Sequence, residues 1–208
     1  MNPNERMNND SAWMLTDWRR ELPAMTSRLV ALREPTSDDL GPLFDLLSIA
    51  DAVRFGINEA VTESALRTFI ERAHHERSAG MSFTYVVTLG ATHAIIGLAQ
   101  VRQLDPSFDT AEWEMTLAPS ARGTGAFLDA ARLLGSFAFG SVGTHRLESR
   151  VVLQNGRANG ALNKLGAVQE GILRRSVRQS GAYHDQVLWS MLEDDWSDHW
   201  VATASRVH

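Results

Sequence analysis

The segment Glu112-Trp113-Glu114-Met115-Thr116-Leu117-Ala118-Pro119-Ser120-Ala121-Arg122-Gly123-Thr124-Gly125-Ala126 constrains this chain more than any other. Residues 111–117 read as a strand, Pro119 ends it, and Phe127, Leu128, Ala131, Leu134 and Ala138 then recur at helical spacing. Between the two elements, Gly123 and Gly125 permit close backbone approach to a ligand. The first amides of the following helix can point at an anion and add the positive end of the helix dipole. Arg122 could supply a charged clamp, so the turn suits a pyrophosphate. An ordinary strand-to-helix connection is the alternative reading.

The turn lacks the Gly-Lys-Ser or Gly-Lys-Thr ending of an ATP-binding loop, and its glycines are wrongly spaced for a dinucleotide fingerprint. ATP hydrolysis and hydride transfer therefore give way to acyl transfer.

The surrounding chain has the organisation of a mixed α/β fold. Leu29-Val30-Ala31-Leu32 predicts a short strand. Thr36-Ser37-Asp38-Asp39 predicts the cap of a helix whose apolar positions include Leu40, Leu43, Phe44 and Leu47. A second helix is expected over Ser64 to Arg77, then strands at Phe83 to Thr88, Ala94 to Val101 and Ala111 to Leu117. After the helix that follows Gly125, a strand is expected from Arg146 to Leu153. Asn155 can start a short helix that Leu162 and Leu165 anchor and Gly166 ends. Val168 to Val177 and Gln186 to Leu192 predict a hairpin with a long loop. The expected organisation is a leader over 1–26, a body over 27–192 and a tail over 193–208, with Trp13 and Trp18 in the leader and Trp196 and Trp200 in the tail.

With 208 residues, 44% of them hydrophobic, the chain can bury one sizeable core. It has no Cys, which removes disulfides, thiolate metal sites and a cysteine nucleophile. Its seven His show no three-ligand spacing, so no metal site is expected. The net charge of -5 argues against sequence-independent nucleic-acid binding. No apolar run is long enough to cross a bilayer, and the polar start does not resemble a signal peptide, so a soluble cytoplasmic protein is expected.

In the order of these motifs the chain resembles the GCN5-related N-acetyltransferase family, in particular its ribosomal-protein N-terminal acetyltransferase branch. The resemblance runs from about Ser27 to Leu192 through Ile96-Gly97, Ala111-Glu112-Trp113, Arg122-Gly123-Thr124-Gly125 and Asn155 through Leu165-Gly166-Ala167. It implies a splayed central sheet flanked by helices, with acetyl-CoA or another acyl-CoA as donor. Arg122, Gly123, Thr124, Gly125 and Ala126 would cradle the pyrophosphate. Met115, Thr116 and Leu117 would lie beside pantetheine, in a gap between the Glu112 and Glu148 strands, and Asn155 would stand near the cofactor. Phe127 departs from the family, which favours Gly or Ala there.

Transfer to an amine needs a proton acceptor and stabilisation of the developing oxyanion. Alternation along the strand puts Glu112 and Glu114 on one face. Glu112, which matches the family's Ala-Glu motif, is the candidate general base, with an interstrand ion pair as its alternative role; Glu114 is a candidate for binding the ammonium. The family's hydroxyl donors fall here on Leu162 and Ala158, which cannot donate a proton, and Tyr183 is a candidate replacement. Phe55-Gly56-Ile57-Asn58 could border the acceptor. The expected acceptor is a primary amine or a protein N terminus, and the late strands and terminal Trp residues suit a homodimer contact. A noncatalytic acyl-CoA-binding interaction protein is the alternative function, with an RNA-binding module behind it.

Overall fold

The period-2 runs and apolar stripes of the sequence assemble into one mixed sheet with helices on both faces, as seen in a computed structural model that describes residues 17–47, 55, 57, 60–179 and 181–196. The strands are β1 (Met25–Thr26), β2 (Val30–Arg33), β3 (Ser82–Leu89), β4 (Ile95–Gln103), β5 (Thr110–Leu117), β6 (Arg146–Val152), β7 (Val168–Gln179) and β8 (Ala182–Leu192). They lie in the order β1-β2-β3-β4-β5-β6-β8-β7. The helices are α1 (Leu40–Leu46), α2 (Glu63–Ser78), α3 (Ala126–Phe137) and α4 (Gly156–Leu165).

Alternation along the central strands divides the core in two. Val86 and Leu98 face α1 and α2, where they meet Leu43, Leu66, Phe69 and Ile70. Tyr85, Val87, Ala99, Val101, Trp113 and Leu147 face the other way and pack with Ala130, Ala131, Leu134 and Phe137 of α3. Helix α2 starts where Thr62 caps it, its Oγ1 accepting from the Ala65 N–H at 3.1 Å. Each fully buried Leu or Phe in these clusters contributes about 1.5–3 kcal/mol of transfer free energy.

Among the described strands, β5 and β6 form the one parallel pair; the other neighbours are antiparallel. Parallel strands cannot be joined by a tight turn, and the crossover here is the segment carrying α3. The site is built at this step in the sheet.

Several sequence expectations are revised. Phe44 is 52% exposed, because α1 is short and turns only Leu43 fully inward. The late hairpin has no long loop: β7 runs to Gln179 and β8 starts at Ala182. Two register shifts absorb its polar stretch, and at the second Arg175 adopts φ +48° while its N–H donates to Asp185 Oδ1 at 2.8 Å. Strand β1, only two residues long, carries no legible pattern.

The core also draws on residues outside 27–192. Trp18 meets Phe83 and Phe108 edge-on at 5.7 and 5.5 Å, and Leu22 and Met25 are buried beside it. Trp196 packs on Phe139 at 5.6 Å. Trp13, Gly56, Asn58, His199, Trp200 and His208 lie outside the described residues.

Candidate active site

Strands β5 and β6 pair through three residues only: Thr110 with Arg146, Ala111 with Leu147, and Glu112 with Glu148. Beyond that point β5 stays with β4 as far as Leu117, while β6 stays with β8 as far as Val152. Two strands that pair and then follow different neighbours leave a V-shaped opening between them. The bonds Ala118 N–H to Ile96 O (2.7 Å) and Leu104 N–H to Thr110 O (2.8 Å) set the phase of the β4–β5 ladder. By antiparallel alternation, Glu114 and Thr116 turn their backbone groups to β4, whereas Met115 and Leu117 turn theirs toward the opening.

Both following helices begin at the open end of the V. After the turn Pro119–Ala121, Gly123 takes φ +81° and Gly125, the N-cap of α3, takes φ +91°. A Cβ on Gly123 would meet nothing within 4 Å, so the turn presents open backbone. Thr124 Oγ1 donates to the Ala121 carbonyl at 2.7 Å and accepts from the Ala126 N–H at 3.3 Å, which fixes the turn from within. Exposed Arg122 donates from Nε to the Leu117 carbonyl at 3.3 Å, tying the turn to the rim of the opening. Beside the turn, a pocket of about 210 Å³ is lined by Leu29, Leu89, Ile96, Ser120, Ala121, Thr124 and Ala126. The Ala126 side chain is buried, so that residue offers only backbone. Phe127 is partly buried, with its ring 6.1 Å from that of Trp113.

On the other strand of the V, Asn155 caps α4, its Oδ1 accepting from the Ala158 N–H at 3.1 Å. Asn159 then brackets the end of β6. Its Nδ2 donates to the Val152 carbonyl at 3.2 Å, and its Oδ1 accepts from Trp189 Nε1 at 2.9 Å. Leu162 is buried. Tyr183 is 65% exposed near the hairpin tip, with Arg178 over its ring at 6.0 Å. Phe55 and Ile57 are buried in the cluster between α1, α2 and the sheet.

Glu112 and Glu114 share one face of β5, opposite Arg102 and Gln100 respectively on β4. Met115 and Leu117 contribute to the α3-side core instead. Glu112 is 3% exposed and makes interstrand ion pairs on both oxygens: Oε2 accepts from Arg102, and Oε1 accepts from Arg150. Arg150 also donates to Glu148 at 3.0 Å, and Arg146 donates to the other oxygen of Glu148 at 3.0 Å. Arg146 continues to Glu170 in a two-pronged pair at 2.7 and 2.5 Å, and Ser190 Oγ donates to Glu170 at 2.7 Å. Arg146, then Ser190, hold the Glu170 carboxyl down to about 2. Its partner, the Arg146 guanidinium, is held above its ordinary value chiefly by Glu170. Glu114 is half-buried two residues farther along β5 toward the open end.

Sequence reasoning named both carboxylates and gave an interstrand ion pair as the alternative role of Glu112, but missed the ion-pair chain through Arg146, Glu148, Arg150 and Glu170. The signal was present: Arg146-Leu147-Glu148-Ser149-Arg150-Val151 alternates charged with smaller or apolar residues, which puts three charges on one face of a strand. Among the described residues, no group of three His, Asp or Glu side chains is arranged to hold a metal, and no helix is long and apolar enough to cross a membrane.

This geometry can be set beside known proteins. A family model described as an acetyltransferase (GNAT) domain matches residues 29–168. The probable N-acetyltransferase YjcK of Bacillus subtilis is 33% identical over 73 residues, which cover 35% of this chain and only 40% of that protein. Two solved structures share the fold. Mycobacterium smegmatis RimJ in complex with CoA-disulfide has TM-score 0.74 and 20% identity, covering 88% of this chain and 94% of its own. The ribosomal-protein-S5-alanine acetyltransferase of Vibrio fischeri has TM-score 0.72 and 19% identity, covering 84% and 98%. With its parallel strands parting beside a glycine turn and a family match across most of its body, the chain belongs to the GCN5-related N-acetyltransferase (GNAT) family.

Proposed function

We propose that this protein transfers an acyl group, acetyl foremost, from acyl-CoA to a primary amine, and that the acceptor is a protein N terminus. The observation that carries the reading is the end of β5–β6 pairing at Glu112 and Glu148, with the Gly123–Gly125 turn at the mouth of the resulting opening. A ribosomal-protein alanine acetyltransferase among the structures that share this fold supports the choice of acceptor.

The residues present fit an acyl-CoA donor. The open backbone of Gly123 and the first amides of α3 suit the pyrophosphate, with Arg122 as an adjacent cation. The backbone groups of Met115 and Leu117 that turn toward the opening suit the amides of pantetheine. Thr116 frames the strand from the opposite face, and Asn155 starts α4 on the far side of the opening, where it stands near the cofactor. When bound, acyl-CoA supplies a thioester whose acyl group passes to the amine while the thiol departs.

Glu114, rather than Glu112, takes the proton from the incoming ammonium, directly or through a water. It is half-buried and lies nearer the open end than Glu112, which is only 3% exposed. Backbone N–H groups that face the opening polarise the carbonyl as charge develops on it. Without a hydroxyl at Ala158 or Leu162, the thiolate leaves into solvent.

A noncatalytic acyl-CoA-binding role is the second reading, favoured by the closure of Glu112 between Arg102 and Arg150. Purified protein incubated with acetyl-CoA and a panel of peptides and small amines decides between them. CoA release matched by an amide product of the expected mass supports transfer; CoA binding with no product from any amine supports the second reading.

A further inference from the structure

We propose that Arg150 is a positioning residue that fixes the vertex of the opening, and therefore the depth at which an acyl thioester comes to rest; the functional consequence rests on the transfer reading above. Arg150 stands on β6 two residues beyond Glu148, the last residue paired with β5. From that diverging strand its guanidinium reaches back to both members of the last pair, to Glu112 Oε1 through Nη1 and to Glu148 Oε2 through Nη2 at 3.0 Å. One planar group thus fastens the two strands where backbone pairing gives out. A guanidinium can do this because its donors form a rigid fork; an ammonium is a single point charge.

The clamp is anchored on both sides. Arg102 of β4 holds the second oxygen of Glu112, and Arg146 holds the second oxygen of Glu148 before passing on to Glu170 of β7. Three arginines and three glutamates alternate across the sheet, so the row balances its own formal charge. Glu112 at 3% exposure could not be left alone at such a place without a large desolvation cost, and the row supplies its partners. Arg150 itself is 31% exposed, so solvent reaches the fork and it is not sealed in the core.

The test uses the full chain with Arg150→Gln, Arg150→Lys and Glu148→Gln. Amide hydrogen exchange is read at Trp113 and Glu148, whose N–H groups close the β5–β6 ladder at its last pair, against Tyr85 and Ala99 in the sheet centre. Arg150→Gln should speed exchange at Trp113 and Glu148 by about tenfold while Tyr85 and Ala99 keep their protection. Arg150→Lys should restore less than half of that loss, because it replaces the charge but not the fork. In transfer assays kcat should fall by about 10- to 100-fold, while the affinity for CoA, set at the Gly123 turn, changes by less than about threefold. If Arg150→Gln does not fold, Glu148→Gln opens half of the same bridge and should reproduce the exchange pattern more weakly. Unchanged exchange at Trp113 and Glu148 in a folded Arg150→Gln protein, or full rescue by Lys, overturns the proposal. Exchange needs no turnover, so it decides on the clamp even if the wild-type protein transfers no acyl group, an outcome that would overturn only the transfer reading.

Discussion

Glu112 and Glu148 face each other across the last pair of β5 and β6, and a single side chain, Arg150, binds both. Two carboxylates at adjacent positions of a sheet repel each other, and the arginines around them turn that repulsion into a fastening. The strands then part beyond that pair.

Glu112 and Glu114 should respond differently to the same substitution. Glu114→Gln should lower kcat/KM by about 100-fold with little change in melting temperature, and raising the pH should not recover it. Glu112→Gln should cost about 2–4 kcal/mol of stability, since it leaves two guanidiniums facing a neutral amide. Urea denaturation and initial rates on both variants check this. A stable Glu112→Gln protein with abolished transfer, beside an active Glu114→Gln protein, would restore Glu112 as the base.

Gly125→Asp should weaken CoA binding by about tenfold, because it puts a carboxylate at the positive start of α3. The new side chain has room, its Cβ meeting only Leu29 Cδ1 at 3.4 Å, but φ +91° is a conformation that residues other than glycine rarely adopt, so the variant is strained and also loses stability. Calorimetric titration of the folded variant measures the effect; unchanged affinity would remove the turn from the binding site.

Gly97 keeps β4 and β5 close at the rim of the opening. A Cβ there would stand 2.4 Å from Leu117 Cδ2 and 2.7 Å from the Thr116 carbonyl oxygen. Gly97→Ala should therefore cost about 1–3 kcal/mol and push Leu117 into the opening, which weakens CoA binding as well. Thermal unfolding with and without CoA would show both losses. A variant as stable as wild type would mean that the strands part there without strain.

The Glu170 carboxyl, held down to about 2 against an ordinary 4.5, makes a pH-dependent contribution. Its native value is depressed, so the stabilisation is fully present above about 4.5 and disappears as the pH falls toward 2. The side chain is 37% exposed, so solvent and salt reduce the size of the effect. Wild type should unfold at a higher temperature than Glu170→Gln at pH 7, and the gap should narrow progressively below pH 4.5. A gap that stays constant to pH 3 would show that the pair with Arg146 does not stabilise the fold.

The sheet and the turn were legible because local chemistry specified them. Pro119, Gly123 and Gly125 punctuate the change from strand to helix, Asn155 and Gly166 bound α4, and β5 carries its two glutamates on one face as alternation requires. The part that could not be read depends on which strands become neighbours. Nothing local brings Arg150 to Glu112, 38 residues away, or Arg146 to Glu170; those contacts exist only because β6 lies between β5 and β8. The hairpin was misjudged for a related reason: residues 178–185 read as a long loop, yet Val177 pairs with His184 and Arg178 with Tyr183, so the strands run on to Gln179 and start again at Ala182.

Titration of 15N-labelled protein with CoA, followed at the backbone amides of Gly123, Gly125 and Leu117, asks most directly whether the donor occupies the opening and the turn at its mouth. Saturable shifts at all three amides, with Thr26 and Gln179 at the far edges of the sheet unmoved, are the predicted result. Saturable shifts confined to other parts of the sheet, with those three amides unchanged, would contradict it.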